Sequence, residues 1–126
     1  MNLRSIFEHT DNVQELPAGA TIFMEGTRGD VMYVILDGEV EVRVRNKLIE
    51  VLGPGEIIGE MALIDASPRS ASVVARSNCR LAPVDERRFL YMIPETPFFA
   101  LHVMRVLVGR LRRKTEGESN SQQTQG

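Results

Sequence analysis

Three residues near the middle of the chain have the types and spacing needed to bind a phosphorylated sugar. Gly59 and Glu60 follow the apolar pair Ile57-Ile58, and Arg69 comes a short loop later. A glycine lets the backbone bend sharply and lets a ligand approach it closely. The N–H groups that open a helical turn after it attract anions, and an arginine adds a fork of donors for phosphate oxygens. Glu60 would repel a phosphate, so its carboxylate suits a donor such as a ribose hydroxyl.

A purely structural interpretation explains either charged residue alone. Glu60 is favourable in the first turn of any helix because of the helix dipole, and Arg69 could be its partner in a surface salt bridge. The whole run from Ile57 to Ala75 favours a binding site instead. The main alternative is a domain that retained the fold and lost the ligand.

The same run resembles a known motif. From Gly59 to Val73 it reads GEMALIDASPRSASV, which is similar to the phosphate-binding cassette of cyclic-nucleotide-binding domains. That family is shared by protein kinase regulatory subunits, cyclic-nucleotide-gated channels and bacterial catabolite-activator-type regulators. Its pattern is Gly-Glu-x-Ala-Leu, a short loop, then Pro-Arg-x-Ala. The fixed positions are all present, as Gly59, Glu60, Ala62, Leu63, Pro68, Arg69 and Ala71, and the resemblance extends to about residue 114.

The resemblance implies a role for each cassette residue. The cyclic phosphate is expected on backbone N–H groups around Met61-Ala62 and Ser70-Ala71. Arg69 is expected to pair with an exocyclic phosphate oxygen, and Glu60 to accept the ribose 2′-OH. Gapless counting places Arg110 where activator-type members carry an arginine on their long helix, reaching toward Glu60 or the phosphate. The expected ligand-binding residues are Gly59, Glu60, Met61, Ala62, Arg69, Ser70, Ala71 and Arg110, with no catalytic or metal-binding residue and no cofactor.

The identity of the base stays open. The form Arg69-Ser70-Ala71 is the one seen in bacterial cAMP binders, which favours cAMP. The Ser70 hydroxyl could still reach a guanine amino group, as a threonine does in cGMP-selective members. The base-contacting pair of activator-type members falls on Lys114 and Thr115, which is a poor match.

Short strands separated by glycine-containing turns surround the cassette, and this pattern is typical of an all-β sandwich or barrel. The resemblance narrows it to a mainly β fold with flanking helices, an eight-stranded double-stranded β-helix or jelly-roll-like β-roll. We expect a domain over residues 1–114. Its predicted parts are an N-terminal helix at 1–10, a β-roll at 13–84 with the cassette at 57–75, two C-terminal helices at 85–114, and a disordered tail at 115–126. The predicted strands are 21–24, 31–36, 39–45, 48–52, 70–75 and 80–84.

The last predicted helix has two apolar sides. A first helix from Asp85 should stop at Pro94, and a second should start at Pro97 and end near Lys114. One side carries a stripe at heptad spacing, Leu101, Met104, Val108 and Leu111. The other carries Phe99, Val103, Val106 and Leu107. One side can pack on the roll while the other covers a ligand or forms a homodimer.

The composition limits the remaining function classes. The chain has 126 residues, 43% of them hydrophobic and 25% charged, which suits one domain with its own core. A net charge of −2 favours neither nucleic acid nor an anionic membrane. The single cysteine, Cys79, allows no internal disulfide, and no signal peptide or membrane insertion is predicted. We therefore expect a cytoplasmic, stand-alone domain without the helix-turn-helix of bacterial regulators.

Two other functions are alternatives to cyclic-nucleotide binding. A metal-dependent enzyme of the cupin type would need several histidines, and the chain has only His9 and His102. The second alternative is a ligand-free β-roll that acts as a protein-interaction module. A further alternative is a regulatory domain of a multi-protein transcription or signalling complex. The sequence favours a cyclic-nucleotide sensor that repositions its last helix and acts on an unknown protein effector.

Overall fold

The computed structural model describes residues 3–10 and 12–125, with side chains up to Arg113. The described residues form eight strands and four helices. The strands are β1 Gln14–Leu16, β2 Thr21–Phe23, β3 Val31–Asp37, β4 Val40–Val44, β5 Lys47–Leu52, β6 Ile57–Ile58, β7 Ser72–Ala75 and β8 Cys79–Asp85. The helices are α1 Leu3–Phe7, α2 Glu60–Asp65, α3 Glu86–Glu95 and α4 Pro97–Gln125.

The strands form two four-stranded antiparallel sheets. One sheet has the order β1-β8-β3-β6 and the other the order β2-β7-β4-β5. The predicted mainly β fold with flanking helices, a β-roll, is thus confirmed. The cassette begins in β6, at the edge of the first sheet, and ends in β7, inside the second. Its helix and loop therefore connect the two sheets, which is why residues from both sheets meet around it.

Strand β3 separates two hydrophobic clusters. Side chains alternate between the two faces of a strand, so Met32 and Val34 point toward the helices while Ile35 points into the roll. The outer cluster joins α1, α3 and α4 to the first sheet. The inner cluster fills the space between the sheets and includes Ile58 and Val73, which flank the cassette. Both ends of the cassette are thereby anchored in packed core.

Helix α4 packs on the roll through one of its two apolar sides, as predicted. Phe99 and Val103 are fully buried, and the Phe99 ring lies edge-on to Phe7 with 5.3 Å between centroids. The stripe on the other side remains exposed, with exposed fractions of 41 to 58% for Leu101, Met104, Val108 and Leu111. This packing places the length of α4 after Val103 beside β5 and β6.

Proline 94 does not end α3, contrary to the prediction. The helix continues to Glu95 and ends when the Thr96 N–H donates to the Met92 carbonyl at 2.7 Å. A proline this close to a helix C-terminus removes a single hydrogen bond, which is too little to stop the last turn. At the other end Asp85 caps the helix by accepting from the Arg88 N–H at 2.8 Å.

No strand was predicted at β1, the other boundaries differ by a residue or so, and two strand predictions differ most from the structure. Strand β7 begins at Ser72 rather than Ser70, because the backbone of Arg69 is engaged with the loop after β2 instead of a neighbouring strand. In β4 only Val40 is fully buried, and Val42 and Val44 are half-buried like Glu41 and Arg43. Since Arg43 donates to Glu41 at 2.8 Å on the polar face, that face is partly covered as well.

Helix α4 is longer than predicted. It runs to Gln125, through the stretch expected to be a disordered tail. The sequence from Thr115 to Gln125 contains no proline, and its one glycine, Gly117, costs a helix only about 1 kcal/mol. The polar composition alone therefore did not determine where the helix ends.

Candidate functional site

Gly59 provides the sharp bend that the cassette requires. It is the N-cap of α2 and adopts φ 79° and ψ 13°, the left-handed region that favours glycine. A Cβ there would lie 2.5 Å from Nη1 of Arg69 and 3.2 Å from the Val31 carbonyl oxygen. No side chain caps the first turn of α2 within the described structure. Gly59 thus allows the backbone, the guanidinium and β3 to come together.

Arg69 is buried, with 6% of its surface exposed, and its guanidinium faces protein atoms. Nη2 donates to the Val31 carbonyl at 2.8 Å, and Nη1 to the Gly59 carbonyl at 3.3 Å. The Cζ atom lies 4.1 Å from the centroid of the Phe23 ring. These contacts use two of the five N–H donors of a guanidinium, so the group keeps donors for a further acceptor.

Glu60 is completely buried and pairs with an arginine from the far end of the chain. Its Oε1 accepts from Nη1 of Arg110 on α4, and Nη2 of Arg110 donates to the Ile57 carbonyl at 3.2 Å. Oε2 of Glu60 and Nε of Arg110 are buried without a hydrogen-bond partner among the described residues. A buried carboxylate oxygen without a donor is costly, and it could accept a hydrogen bond from a ligand.

Burial changes the pKa of both cassette charges. Loss of solvent raises the pKa of the Glu60 carboxyl above its usual 4.5, and the charge of Arg110 only partly offsets this. Loss of solvent also lowers the pKa of the Arg69 guanidinium, against the opposing effect of Tyr33, Asp30 and Glu60. Arginine remains charged at neutral pH in any protein environment, so Arg69 is a buried cation.

A cavity of about 290 Å³ lies between α4 and the β5–β6 region. Its lining is mixed, with arginines and a histidine from α4 facing two glutamates and apolar side chains from the roll. The lining residues are Glu50, Leu52, Glu56, Ile57, His102, Arg105, Val106, Gly109, Arg110 and Arg113. Arg110 is therefore the link between this cavity and the Glu60 carboxylate.

The sequence-predicted residues fall into two groups. The first group is connected. Arg69 donates to the Gly59 carbonyl, Arg110 donates to Glu60, and Gly59 and Glu60 are neighbours in the chain. The second group lies in the cassette without such contacts. Ala62 is buried, Met61 and Ala71 are half-buried, and Ser70 is exposed. Sequence reasoning missed Phe23, which it read only as part of a strand. Nothing in the local pattern marks the side of β2 that faces Arg69.

A metal-binding cluster and a membrane-spanning helix would indicate other function classes. Among the side chains of residues 3–10 and 12–113, no group of three or more His, Cys, Asp or Glu is placed to hold a metal ion. No helix in residues 3–10 and 12–125 combines the length and apolar character that crossing a membrane requires.

Comparison with known proteins assigns the fold and the cassette to one family. The family model described as cyclic nucleotide-binding domain matches residues 13–95. The chain belongs to this family. The match begins just before β1 and ends with α3, so it includes both sheets and the whole cassette.

Two relatives within the cyclic-nucleotide-binding domain family are longer than this chain. The "CRP-like cAMP-activated global transcriptional regulator" of Mycobacterium tuberculosis is 32% identical over 104 residues, covering 79% of this chain and 46% of the regulator. The crystal structure of Thermus thermophilus catabolite activator protein has a TM-score of 0.74 and 32% identity, covering 86% of this chain and 53% of that one. The chain thus spans about half the length of each.

A third family relative has been solved with two different ligands. The cGMP-bound form of the EAL enzyme Bd1971 has a TM-score of 0.64 and 39% identity, and covers 84% of this chain and 30% of that one. Its cAMP-bound form has a TM-score of 0.61 and 37% identity, and covers 83% and 30%. This chain is therefore about equally similar to the cGMP-bound and the cAMP-bound form of that enzyme.

Proposed function

We propose that this domain binds a cyclic nucleotide between the cassette and α4, with cAMP preferred over cGMP, and that binding repositions α4. The observation that carries the proposal is a pair of buried charges. Among the side chains that the structure describes, Glu60 and Arg69 are the two charged ones that are buried. They lie in the same short segment and are not hydrogen-bonded to each other.

The chemistry of this pair complements a ribose phosphate. Glu60 has one carboxylate oxygen without a donor, and a ribose hydroxyl is a suitable donor. Arg69 has N–H groups that its two carbonyl partners do not use, and charge-assisted hydrogen bonds to phosphate are among the strongest in proteins. A buried charge is unfavourable unless its hydrogen bonds are complete, and Oε2 of Glu60 has no donor, so a ligand-binding role accounts for this arrangement better than packing does.

Two observations support the preference for cAMP. The run Arg69-Ser70-Ala71 resembles that of bacterial cAMP binders, and the Mycobacterium tuberculosis relative is named as cAMP-activated. Ser70 is exposed and makes no hydrogen bond through its side chain in the described structure, so its hydroxyl is available to a guanine amino group. Replacing Ser70 with alanine should therefore reduce cGMP affinity more than cAMP affinity.

The direct test is calorimetric titration of the protein with cAMP and with cGMP. We expect saturable one-site binding of both, with the lower dissociation constant for cAMP. Absence of binding to either nucleotide would favour the ligand-free interaction module. Tighter binding of cGMP would reverse the assignment of the base and leave the pocket unchanged.

The output follows from the contact between Glu60 and Arg110. Arg110 belongs to α4 and anchors it to the Glu60 carboxylate. A nucleotide that hydrogen-bonds Glu60 would share this carboxylate with Arg110. A ligand shifts the helix only to the extent that it binds one helix position better than the other. We expect cAMP to hold α4 over the pocket and to change the exposure of its outer stripe, Leu101, Met104, Val108 and Leu111, which an effector or a second copy would read.

Hydrogen exchange across residues 97–113, with and without cAMP, measures this response. Slower exchange in the presence of cAMP is the expected result. Truncation of the chain before Phe98 should raise the dissociation rate of cAMP. Identical exchange in both states, together with unchanged affinity after truncation, would mean that α4 serves only as packing.

A further inference from the structure

We propose that Phe23 is a positioning residue for Arg69, and that its ring holds the guanidinium in the orientation from which Arg69 binds phosphate. This inference deepens the proposed nucleotide-binding function and rests on it. The guanidinium Cζ lies 4.1 Å from the centroid of the Phe23 ring. A cation over an aromatic face at that range is attracted by the ring, and the attraction strengthens when the pair is shielded from water. Arg69 is so shielded, being 6% exposed.

The ring is itself held in place. Phe23 stacks on Tyr33 with 6.4 Å between ring centroids and 25° between planes. Its backbone pairs with Val73 of β7, and its Cε2 lies close enough to Gly59 that a Cβ there would be 3.3 Å away. Phe23 also packs against the inner hydrophobic cluster. Because the ring is held on several sides, it presents a single face to the guanidinium.

The loop from β2 to β3 holds the backbone of Arg69 and lies against one side of its guanidinium. The Gly26 N–H donates to the Arg69 carbonyl at 2.8 Å, and the Arg69 N–H donates to the Thr27 carbonyl at 2.8 Å. A Cβ on Gly29 would overlap the guanidinium. Gly29 is not in the left-handed region, so glycine is needed there for space rather than for backbone conformation. We call Phe23, Gly29, Gly59 and the Val31 carbonyl the arginine cradle.

The cradle has a consequence for binding. A free arginine side chain has many rotamers, and fixing it at the moment of binding costs conformational entropy. In this structure the stem and two donors are already fixed, while other donors remain unused. Positioning of Arg69 before the ligand arrives should therefore raise affinity for the phosphate without any contact between Phe23 and the ligand.

Substitution of the ring tests the proposal, with a matched control that keeps it. Phe23→Leu retains an apolar side chain and loses the ring face, and it should weaken cAMP binding about tenfold. Phe23→Tyr retains the ring and should stay within about twofold of the wild type. Leucine and tyrosine variants of equal affinity would overturn the proposal.

A double substitution asks whether the effect passes through Arg69. In an Arg69→Ala background, Phe23→Leu should cause no further loss of cAMP affinity, because the group that the ring positions is gone. Equal losses in the wild-type and Arg69→Ala backgrounds would show that Phe23 acts by another route, and would overturn the positioning role.

A spectroscopic measurement separates this inference from the nucleotide-binding proposal. The Nε–Hε resonance of Arg69, assigned by its disappearance in Arg69→Lys, should show a ring-current shift in the ligand-free wild type and in Phe23→Tyr. The shift should vanish in Phe23→Leu. An unchanged resonance in Phe23→Leu would refute the cradle even if cAMP binds. Failure of the wild type to bind either nucleotide, with the shift present, would instead refute the proposed function alone.

The space beside the guanidinium provides a second variant pair. Gly29→Ala should move the Arg69 resonance and weaken cAMP binding about as much as Phe23→Leu. Gly53→Ala is the control, because a Cβ at Gly53 meets nothing within 4 Å and its backbone is also outside the left-handed region. A Gly29→Ala protein that matches Gly53→Ala in both measurements would show that the guanidinium is not confined there.

Discussion

Arg69 and Arg110 approach the same short stretch of chain, residues 57–60, but their partners differ in kind. Arg69 is held by the backbone carbonyls of Val31 and Gly59 and by the ring of Phe23. Arg110 is held mainly by the Glu60 carboxylate, with a longer bond to the Ile57 carbonyl. The carbonyls belong to the fixed roll, whereas a carboxylate can accept from a ligand instead. We infer that Arg69 is a permanent part of the proposed site and that Arg110 is exchangeable.

The largest expected effect comes from removing the permanent cation. Arg69→Ala should weaken cAMP binding at least tenfold, because a charge-assisted pair in a shielded pocket is worth about 1.5–3 kcal/mol. Arg76→Ala is the matched control, since it removes the same charge from an exposed side chain that lies 4.0 Å from Glu41. Wild-type affinity for Arg69→Ala in calorimetry would remove Arg69 from the phosphate site.

Removing the exchangeable cation should cost less. Arg110→Ala takes away one anchor of α4 and leaves Oε2 of Glu60 available to the ribose, as it already is in the wild type. We expect a smaller loss than for Arg69→Ala, together with weaker protection of residues 97–113 in hydrogen exchange. Arg112→Ala, an exposed neighbour on the same helix, should change neither. An Arg110→Ala loss as large as that of Arg69→Ala would end the distinction between the two arginines.

The carboxylate between them should affect sugar recognition more than total affinity. Glu60→Gln keeps an oxygen that accepts a hydrogen bond, so its cAMP affinity should fall by less than that of Arg69→Ala. Its preference for cAMP over 2′-deoxy-cAMP should decrease, because an amide oxygen is a weaker acceptor than a carboxylate. If Glu60→Gln discriminates these two ligands as well as the wild type does, Glu60 does not contact the sugar.

The smallest effect is on the pH dependence of stability. Burial raises the pKa of the Glu60 carboxyl above its usual 4.5. The folded protein therefore keeps this proton at pH values where the unfolded chain has lost it. By linkage, the contribution of Glu60 to the free energy of unfolding falls as pH rises from 4.5 through the folded pKa. Chemical denaturation across this range should show the wild type losing stability relative to Glu60→Gln.

Another carboxylate changes stability in the opposite direction but is common to both proteins. The hydrogen bond from Arg80 lowers the pKa of the Asp37 carboxyl, so its contribution is lost as pH falls. The contribution of Asp37 is the same in wild type and Glu60→Gln, so it cancels in the difference between their free energies of unfolding. A difference in the free energy of unfolding that stays constant with pH would mean that Glu60 has the same pKa in the folded and unfolded states.

Several parts of the fold could be predicted from the sequence because they depend on neighbours in the chain. Gly59 between an apolar pair and a helical turn indicated a bend, and the left-handed backbone there agrees. Helical periodicity predicted two apolar sides for α4, and the structure buries the one that contains Phe99 and Val103. The ends of elements were less predictable. Pro94 lies inside α3 rather than after it, since one lost hydrogen bond near a helix end does not outweigh tertiary packing.

The sequence by itself determined which residues form the cassette, because their order and spacing lie within one segment. Only the tertiary structure decided what each charge contacts. Glu60 and Arg110 are fifty residues apart, and gapless counting left Arg110 with two candidate partners, Glu60 and the phosphate. The ring of Phe23 reaches Arg69 only because β2 pairs with β7 across the roll. Contacts of this kind depend on where antiparallel pairing brings distant strands, and a local sequence pattern carries no information about that distance.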